Sequence, residues 1–430
     1  MTVALVGLTA LFVLLFGGVP IAWGMAIVGA AGFASLAGVG PALAMVGQIA
    51  YETSMNYGLS VLPLFILMGN LITQSRLSDE LYRASNAFVG HFRGGQAMAT
   101  VIACGGFAAV SGSSIATAAT MAKVAMPPMR RLGYSNRLAA GAIAAGGTLG
   151  ILIPPSVIMV IYGIMTRTDI GKLFVAGIVP GLVGVLCYVG AVAWTTWRDP
   201  AAGPPAPRVP WRERWPALAG VRGVLALFLL VVGGIYLGWF TPTEAAGIGA
   251  AGALAFALAR RTLTFDGLVT VLLETAKTTA MMFAVLIGAL LFSNFVNIAG
   301  LPQAMTDLVL GQGLPPLGVI AMIMLVYLVL GCVLESLSMV LLTVPVFFPI
   351  VQQLGFDPVW FGILLVMVIE ISLITPPIGL NVFVLRTVLP DVPTADVFRG
   401  VAPFIVVDIL RLALVALVPS IALFLPAMMG

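Results

Sequence analysis

Long apolar runs alternate with short polar breaks along the whole chain. The longest runs carry almost no charge and reach the length that a helix needs to cross about 30 Å of hydrocarbon. The pattern therefore predicts an all-α polytopic membrane protein with about five spans in each half. The predicted spans lie near residues 2–18, 20–38, 58–75, 138–166, 173–195, 223–239, 243–259, 276–295, 359–388 and 402–426.

Two further apolar stretches, 94–126 and 315–350, are each cut in the middle by a polar tip. The first tip is Ser111-Gly112-Ser113-Ser114, and the second is Glu335-Ser336-Leu337-Ser338. Each stretch is long enough to enter the membrane and return, so we predict two re-entrant helical hairpins. Backbone without regular hydrogen bonds survives at membrane depth only inside protein or beside a wet cavity. The two tips are therefore expected to meet in the protein interior.

The helices predicted at 138–166 and 359–388 are each interrupted by a proline pair, Pro154-Pro155 and Pro376-Pro377. Proline donates no backbone hydrogen bond, and it moves the preceding residue out of the α region. The carbonyl groups of the preceding turn, which would have accepted those hydrogen bonds, are left free. Carbonyls and half-helix C-termini suit a bare cation, whereas half-helix N-termini offer N–H groups that suit an anion.

The two halves of the chain align at one constant shift. Pro154-Pro155 then falls on Pro376-Pro377, and Ser114 falls on Ser336. Because five crossings is an odd number, the second copy is expected to be inverted, as in many secondary transporters. We predict a first repeat at 1–195, a cytoplasmic linker at 196–222 and a second repeat at 223–430. The more polar segments 41–57 and 262–275 are predicted to be interfacial arms.

The few charged residues orient the chain. Only 8% of residues are charged against 61% apolar, and the net charge is +4, which gives no reason to expect nucleic acid. The arginine-rich loops fall on one side, and the positive-inside rule makes that side cytoplasmic. Both termini are then expected to be periplasmic. The arginines concerned are Arg76, Arg83, Arg93, Arg130, Arg131, Arg137, Arg198, Arg208, Arg212, Arg214, Arg222, Arg260, Arg261, Arg386 and Arg399.

Neutral oxygens at the tips and breaks are the candidate ligands, and they favour Na⁺ over a proton carrier. The hydroxyls are those of Ser111, Ser113, Ser114, Thr148, Ser336, Ser338 and Thr375, and Gly112, Gly150 and Gly379 allow close backbone approach. The alternative is that these hydroxyls only bond back to helix carbonyls. Glu335 could contact the cation, titrate or cap the following helix. Glu370 and the pair Asp408/Arg411, which are close to one helical turn apart, are expected to satisfy each other or to scaffold their neighbours.

Several motifs resemble the large membrane subunit of tripartite ATP-independent periplasmic (TRAP) transporters. The matching stretches are Leu62 to Gly69, Ser111 to Ala119, Gly133-Tyr134, Gly147 to Ser156 and Thr375 to Gly379. The resemblance implies Na⁺-coupled import of an organic acid, such as a C4-dicarboxylate or a sialic acid, across the bacterial inner membrane. It also implies an elevator mechanism, in which 94–166 plus 315–388 form the transport domain and the remaining spans form the scaffold.

The resemblance implies partners and sites as well. The partners are a periplasmic substrate-binding protein and a separate small four-helix membrane subunit, for which this chain has no room. One Na⁺ site is implied between the first tip and Thr148–Pro154, and another between the second tip and the segment holding Ser372, Thr375, Pro376 and Gly379. The residues assigned to the substrate are Ser114, Thr117, Pro155, Ser156, Thr375, Pro377, Asn381 and Arg386, although Arg386 could instead extend to the interface.

Two other functions compete with a TRAP permease. A stand-alone divalent-anion/Na⁺ symporter would have similar inverted hairpins and would need no small subunit or binding protein. A membrane-embedded enzyme is the weaker alternative, because the single histidine, His91, lies in a loop and no nucleophile or metal-ligand cluster is apparent. The sequence does not name the substrate.

Overall fold

The computed structural model describes residues 2–75, 77–311 and 313–429, and the regular elements in these ranges are helices. Arg76, one of the arginines used above to orient the chain, lies outside the described residues. The first half contains α1 (Thr2–Phe16), α2 (Ile21–Ala37), α3 (Val39–Ser54), α4 (Val61–Gln74), α5 (Leu77–Val89), α6 (Gly95–Ser111), α7 (Ser114–Arg131), α8 (Asn136–Thr148), α9 (Val157–Thr166) and α10 (Ile170–Arg198).

The second half is also helical. It contains α11 (Trp211–Phe228), α12 (Gly234–Tyr236), α13 (Pro242–Ala259), α14 (Phe265–Ile298), α15 (Leu301–Leu310), α16 (Pro316–Gly331), α17 (Ser336–Gln353), α18 (Pro358–Ser372), α19 (Leu380–Val388), α20 (Thr394–Leu417) and α21 (Ser420–Leu423). Short 3₁₀ turns lie at Tyr57–Ser60, Leu149–Ile151, Pro200–Ala202 and Pro426–Met428, and a π turn at Leu229–Gly233 joins α11 to α12.

Several of these helices are long and apolar enough to cross a membrane. Within the described ranges there are 7, namely Tyr57–Gln74, Ile170–Arg198, Trp211–Tyr236, Pro242–Ala259, Phe265–Ile298, Ser336–Gln353 and Thr394–Leu417. The predicted class, an all-α polytopic membrane protein, is confirmed. The spans predicted at 2–18 and 20–38 are the shorter helices α1 and α2, of 15 and 17 residues. Gly17, Gly18 and Pro20 lie between them, where glycine and proline interrupt helical structure.

The linker predicted at 196–222 is shorter in the structure. α10 continues to Arg198, and α11 begins at Trp211, so the irregular segment is 199–210. Pro210 precedes the first residue of α11, and the residues after it are mostly good helix formers. The segment is also fixed in place, because the Gly94 amide donates to the Gly203 carbonyl at 2.9 Å and the Ala206 amide donates to the Gly90 carbonyl at 3.0 Å.

Only one of the two predicted interfacial arms is a separate helix. Residues 41–57 correspond to α3, whereas residues 262–275 mostly belong to the 34-residue helix α14, which continues into the predicted span. Between Gly267 and Gly288 the sequence holds no glycine or proline, so nothing breaks the helix there. The second predicted arm is therefore mostly the first part of α14 and not a helix of its own.

Helices α1, α2, α4, α13 and α14 pack together in a group that we call the brace, with α2 against α14 and α4 against α13. Small residues bring α2 and α14 close together. A Cβ on Gly29 would lie 2.5 Å from the Phe292 nitrogen, and one on Gly288 would collide with the Ala22 carbonyl oxygen. Such close contacts between small residues are typical of helix pairs in membranes.

Helices α6 to α10 and α16 to α20 form a second group, which we call the core unit. Every residue of α18 after Pro358 is buried, and α8 is buried from Leu138 to its end. The two halves of the chain are tied together here, since the Asn381 Nδ2 donates to the Ala144 carbonyl at 3.1 Å. α20 packs along α8, and α10 contacts α6 and α18. Both α10 and α20 lie outside the transport domain predicted from the sequence, yet they pack within this unit.

Candidate functional site

The first polar tip is a two-residue turn between α6 and α7. Gly112 has a left-handed φ of 63°, a conformation that glycine adopts without strain. Ser113 then caps α7 by accepting a hydrogen bond from the Ala116 amide at 3.3 Å. The Thr117 hydroxyl donates to the Ser113 carbonyl at 2.7 Å and lies 2.9 Å from the Ser111 hydroxyl. Thr117, which was assigned to the substrate, therefore holds the tip together.

The first break lies directly against this tip. α8 ends at Thr148, a 3₁₀ turn follows, and Ser156 caps α9 by accepting from the Met159 amide at 3.4 Å. A Cβ on Gly150 would lie 2.6 Å from the Ser113 carbonyl oxygen, and one on Gly112 would lie 2.7 Å from the Pro155 carbonyl oxygen. Glycine at both positions thus lets two carbonyl groups reach the contact between tip and break.

The second tip is a longer turn between α16 and α17. Its carboxylate acts as a helix cap, because Glu335 Oε2 accepts from the Ser338 amide at 3.2 Å and from the Ser338 hydroxyl at 3.1 Å. Glu335 therefore caps α17, which is one of the roles expected for it. Cys332, in the turn that precedes Glu335, touches the second break, since its Sγ lies 3.4 Å from the Pro376 carbonyl oxygen.

The second break is more open than the first. All residues from Leu149 to Ser156 are buried, whereas Pro376 and Pro377 are exposed. The peptide bond within each proline pair is cis. The Ser372 hydroxyl donates to the Ile369 carbonyl at 2.7 Å, and the Thr375 hydroxyl donates to the Ile371 carbonyl at 2.6 Å. A hydroxyl that donates in this way keeps its oxygen lone pairs for another partner.

The two tips meet at one cavity of about 400 Å³. Such a volume is in the range of small-molecule pockets. This agrees with the expectation that the tips come together inside the protein. The polar residues that line the cavity are Ser111, Ser113, Ser114, Glu335 and Ser336 from the tips, with Asn70, Thr73 and Thr278 from the brace.

The polar residues of the brace were not among those predicted from the sequence. Asn70 and Thr73 are one helical turn apart in apolar α4, which was the available signal. Asn70 Nδ2 donates to the Thr275 hydroxyl of α14 at 3.0 Å, so the amide joins two brace helices beside the cavity. Polar side chains in a membrane helix tend to face protein or a polar cavity, and these do.

Some predicted site residues lie away from the cavity. Thr148 is fully buried and lies 3.1 Å from the Tyr188 hydroxyl. Asn381 is buried in the contact with Ala144 described above, and Arg386 is exposed in the last turn of α19. The structure therefore does not bring the full set of residues assigned to the substrate to one place.

Comparison with known proteins identifies the family. The family described as "Tripartite ATP-independent periplasmic transporter, DctM component" matches residues 8–421. The chain is 40% identical over 385 residues to the C4-dicarboxylate TRAP transporter large permease protein DctM of Pseudomonas aeruginosa, covering 88% of each chain. The chain belongs to the TRAP transporter large permease family.

Other relatives of this TRAP permease agree with that assignment. The sialic acid TRAP transporter large permease protein SiaM of Vibrio cholerae is 34% identical over 418 residues, which is 96% of each chain. Among solved structures, the YdaH transporter of Alcanivorax borkumensis has the same fold, with a TM-score of 0.59 over 87% of this chain and 86% of that chain at 16% identity. The protein is therefore a multi-pass membrane permease and not an enzyme.

Proposed function

We propose that this TRAP permease imports a small organic acid anion and couples the import to Na⁺. The observation that carries the proposal is the single cavity at which the two tips meet the brace. Its volume suits a small molecule, and relatives of this chain are named for C4-dicarboxylates, sialic acid and 2,3-diketo-L-gulonate. The match to the TRAP family favours this function over a stand-alone symporter.

Two Na⁺ sites are proposed, one in each half. The first would use the Ser114 hydroxyl and the carbonyls around Ser113, Thr148 and Pro154. Na⁺ is a hard cation that oxygen ligands suit, and the contact between the first tip and the first break is rich in carbonyl oxygens. The second would lie between Ser336 and the segment from Ser372 to Gly379, where the Pro376 carbonyl contacts Cys332, in the turn that leads to the second tip.

Transport is proposed to follow an elevator motion, in which the core unit moves past the brace. The hairpins α6–α7 and α16–α17 would be re-entrant and would belong to inverted repeats. We place α10 and α20 in the moving body, because both pack on the broken helices. The brace suits a static role, since its close glycine contacts fix α2 against α14.

The proposed partners follow from the family. A small membrane subunit would extend the brace, and a periplasmic binding protein would deliver the substrate, with both termini of this chain on the periplasmic side of the inner membrane. Many large apolar side chains on α1, α2 and α14 are exposed, including Phe16, Trp23 and Leu273. Lipid or a second membrane subunit would cover such surfaces.

Uptake into proteoliposomes tests the proposal. The chain is reconstituted with its small subunit and binding protein, and radiolabelled succinate and N-acetylneuraminate serve as probes. At about 100 mV and a tenfold gradient, each Na⁺ supplies roughly 3.7 kcal/mol, or about 500-fold accumulation before the charge of the substrate is counted. We expect uptake with Na⁺ outside and little with K⁺ or choline. Equal uptake in all three salts would refute Na⁺ coupling.

A further inference from the structure

A chain of buried polar side chains runs through the core unit and involves four helices. The Thr148 hydroxyl of α8 donates to the Ala145 carbonyl at 2.7 Å and lies 3.1 Å from the Tyr188 hydroxyl of α10, which donates to Asp408 of α20 at 2.5 Å. Arg411, also on α20, is 2.9 Å from Asp408 and 2.5 Å from Glu370 of α18. All five side chains belong to residues that are at most 1% exposed.

The two ends of this polar chain are placed at the two helix breaks. Thr148 is the last residue of α8, immediately before the first break. Glu370 lies in the last turn of α18, two residues before Ser372 and the second break. The polar chain therefore joins the points at which the two broken helices end, and these helices come from different halves of the protein.

Stability alone does not account for these buried charges. One arginine faces two carboxylates, and burying an ion pair often contributes no more stability than apolar packing would. Among the described residues, Glu370 Oε1 and the Arg411 Nε and Nη1 atoms have no hydrogen-bond partner. Charged residues at membrane depth usually serve a function. The position of the cluster between the two breaks indicates what that function is.

We propose that Tyr188, Asp408 and Arg411 are positioning residues that couple the two breaks, so that a cation bound at one break sets the geometry of the other. The inference rests on the proposed Na⁺ sites. A cation that draws the carbonyls after Thr148 toward the first tip shifts the end of α8 and the Thr148 hydroxyl. Tyr188 follows that hydroxyl, and Asp408 and Arg411 transmit the shift to Glu370 and the end of α18.

The side chains around Tyr188 make a mild variant possible. Its ring packs edge-on against Phe404, with the centroids 5.4 Å apart. Tyr188→Phe keeps this packing and removes only the hydroxyl that links Thr148 to Asp408. Tyr327→Phe is the matched control, because Tyr327 is equally buried and its hydroxyl has no hydrogen-bond partner within the described part of the chain.

A native cysteine reports on the second break. Cys332 is half-buried in the turn that leads to the second tip, beside the Pro376 carbonyl, whereas Cys104 is fully buried. In a Cys187→Ala background, alkylation of Cys332 by N-ethylmaleimide can be followed by intact mass spectrometry on the purified chain. The measurement needs no substrate. NaCl is titrated against KCl at constant ionic strength, and the Na⁺ concentration that halves the alkylation rate is recorded.

The test is whether a substitution at the first Na⁺ site changes the Na⁺ dependence of alkylation at the second. With Tyr188 present, Ser114→Ala should raise the Na⁺ concentration that protects Cys332 by about fivefold or more, which is the lower end of typical coupling between sites. With Tyr188→Phe, the same Ser114→Ala change should leave that concentration unchanged. Tyr327→Phe should behave as the wild type does.

The outcomes separate the two proposals. If Na⁺ and K⁺ give the same alkylation rate in the wild type, the Na⁺ sites are wrong and this inference falls with them. If Na⁺ protects Cys332 but Ser114→Ala has no effect there, or has the same effect with and without the Tyr188 hydroxyl, the coupling role is overturned while the Na⁺ sites stand. A purely structural role would lower thermal stability in Tyr188→Phe and leave the Ser114 effect intact.

Discussion

Gly184 gives the Arg411 guanidinium its space within the core unit. A Cβ added at Gly184 of α10 would collide with the Arg411 Nη1 atom, whereas one added at Gly190 of the same helix meets no atom within 4 Å. Arg411 pairs with both Glu370 and Asp408. Moving Arg411 would therefore leave two buried carboxylates without their charged partner, which is strongly destabilising. The buried cluster therefore requires a residue without a side chain at position 184.

We expect Gly184→Ala to destabilise the protein by about 2 kcal/mol or more. Alanine gains up to about 1 kcal/mol of helix propensity over glycine, but overpacking costs about 1–3 kcal/mol and disruption of the buried ion pairs adds to it. Thermal unfolding in detergent measures the difference. Gly190→Ala is the control and should be neutral or slightly stabilising. Equal midpoints for the two variants would show that Arg411 moves aside without cost.

Residue identity alone could not decide the role of Glu335. A carboxylate at a polar tip in an apolar hairpin is compatible with a cation ligand, a titrating group or a cap. Its hydrogen bonds to Ser338 identify a cap, which depends on where α17 begins. The pairing of Glu370 with Arg411 was predictable, because apolar surroundings leave buried charges few partners. The contact of Tyr188 with Asp408 was not predictable, since the two residues are far apart in the sequence.

At the level of elements, the sequence predicts the interruptions of helices better than their extents. Proline pairs identified both breaks because proline acts locally on the backbone, and polar residues within apolar stretches identified both tips. The continuity of α14 and the early start of α11 were missed, since hydropathy falls where a helix leaves the hydrocarbon although its hydrogen bonding continues. Hydropathy therefore does not predict where a helix ends outside the membrane, and the structure is needed to locate that end.

Pro155→Ala tests whether the first break serves the cation. Alanine restores a backbone donor and allows helical dihedral angles, so carbonyls near Ser113 and Gly150 would be withdrawn from the ion. Loss of one ligand, at about 1–3 kcal/mol, should raise the Na⁺ concentration for half-maximal uptake about five- to a hundredfold. Pro180→Ala, inside the continuous helix α10, should leave it unchanged. Ordinary Na⁺ dependence in Pro155→Ala would mean that the break serves packing only.

At the scale of the molecule, the proposed elevator motion depends on which helices belong to the moving body. The sequence analysis assigned α10 and α20 to the scaffold, because each is a plain apolar span without a tip or a break. Their packing is with the core unit, and the buried cluster crosses from α18 to α20 and α10. No local pattern in either helix carries that information, since it resides in contacts between distant segments. We therefore expect them to move with the hairpins.

Two cysteine pairs distinguish the alternatives. Gly69 of α4 and Ser111 at the first tip meet across the boundary, since a Cβ on Gly69 would lie 3.5 Å from the Ser111 Cα. Gly105 of α6 and Val185 of α10 meet within the core unit, where a Cβ on Gly105 would lie 2.8 Å from Val185 Cγ2. A Cβ on Gly69 would also lie 2.7 Å from the Ser111 carbonyl oxygen, so α4 and the tip must separate slightly before the first pair reaches disulfide geometry. The pairs are introduced after the native cysteines are replaced by alanine.

We expect the oxidised Gly69→Cys/Ser111→Cys pair to abolish uptake of the labelled probe and reduction to restore it, because an elevator cannot move while its tip is bonded to the brace. Uptake by the reduced protein also reports any effect of losing the Ser111 hydroxyl. The oxidised Gly105→Cys/Val185→Cys pair should transport as well as its reduced form. If that second disulfide blocks transport, α10 is static and the boundary predicted from the sequence is the correct one. If neither disulfide affects uptake, the core unit does not move against the brace.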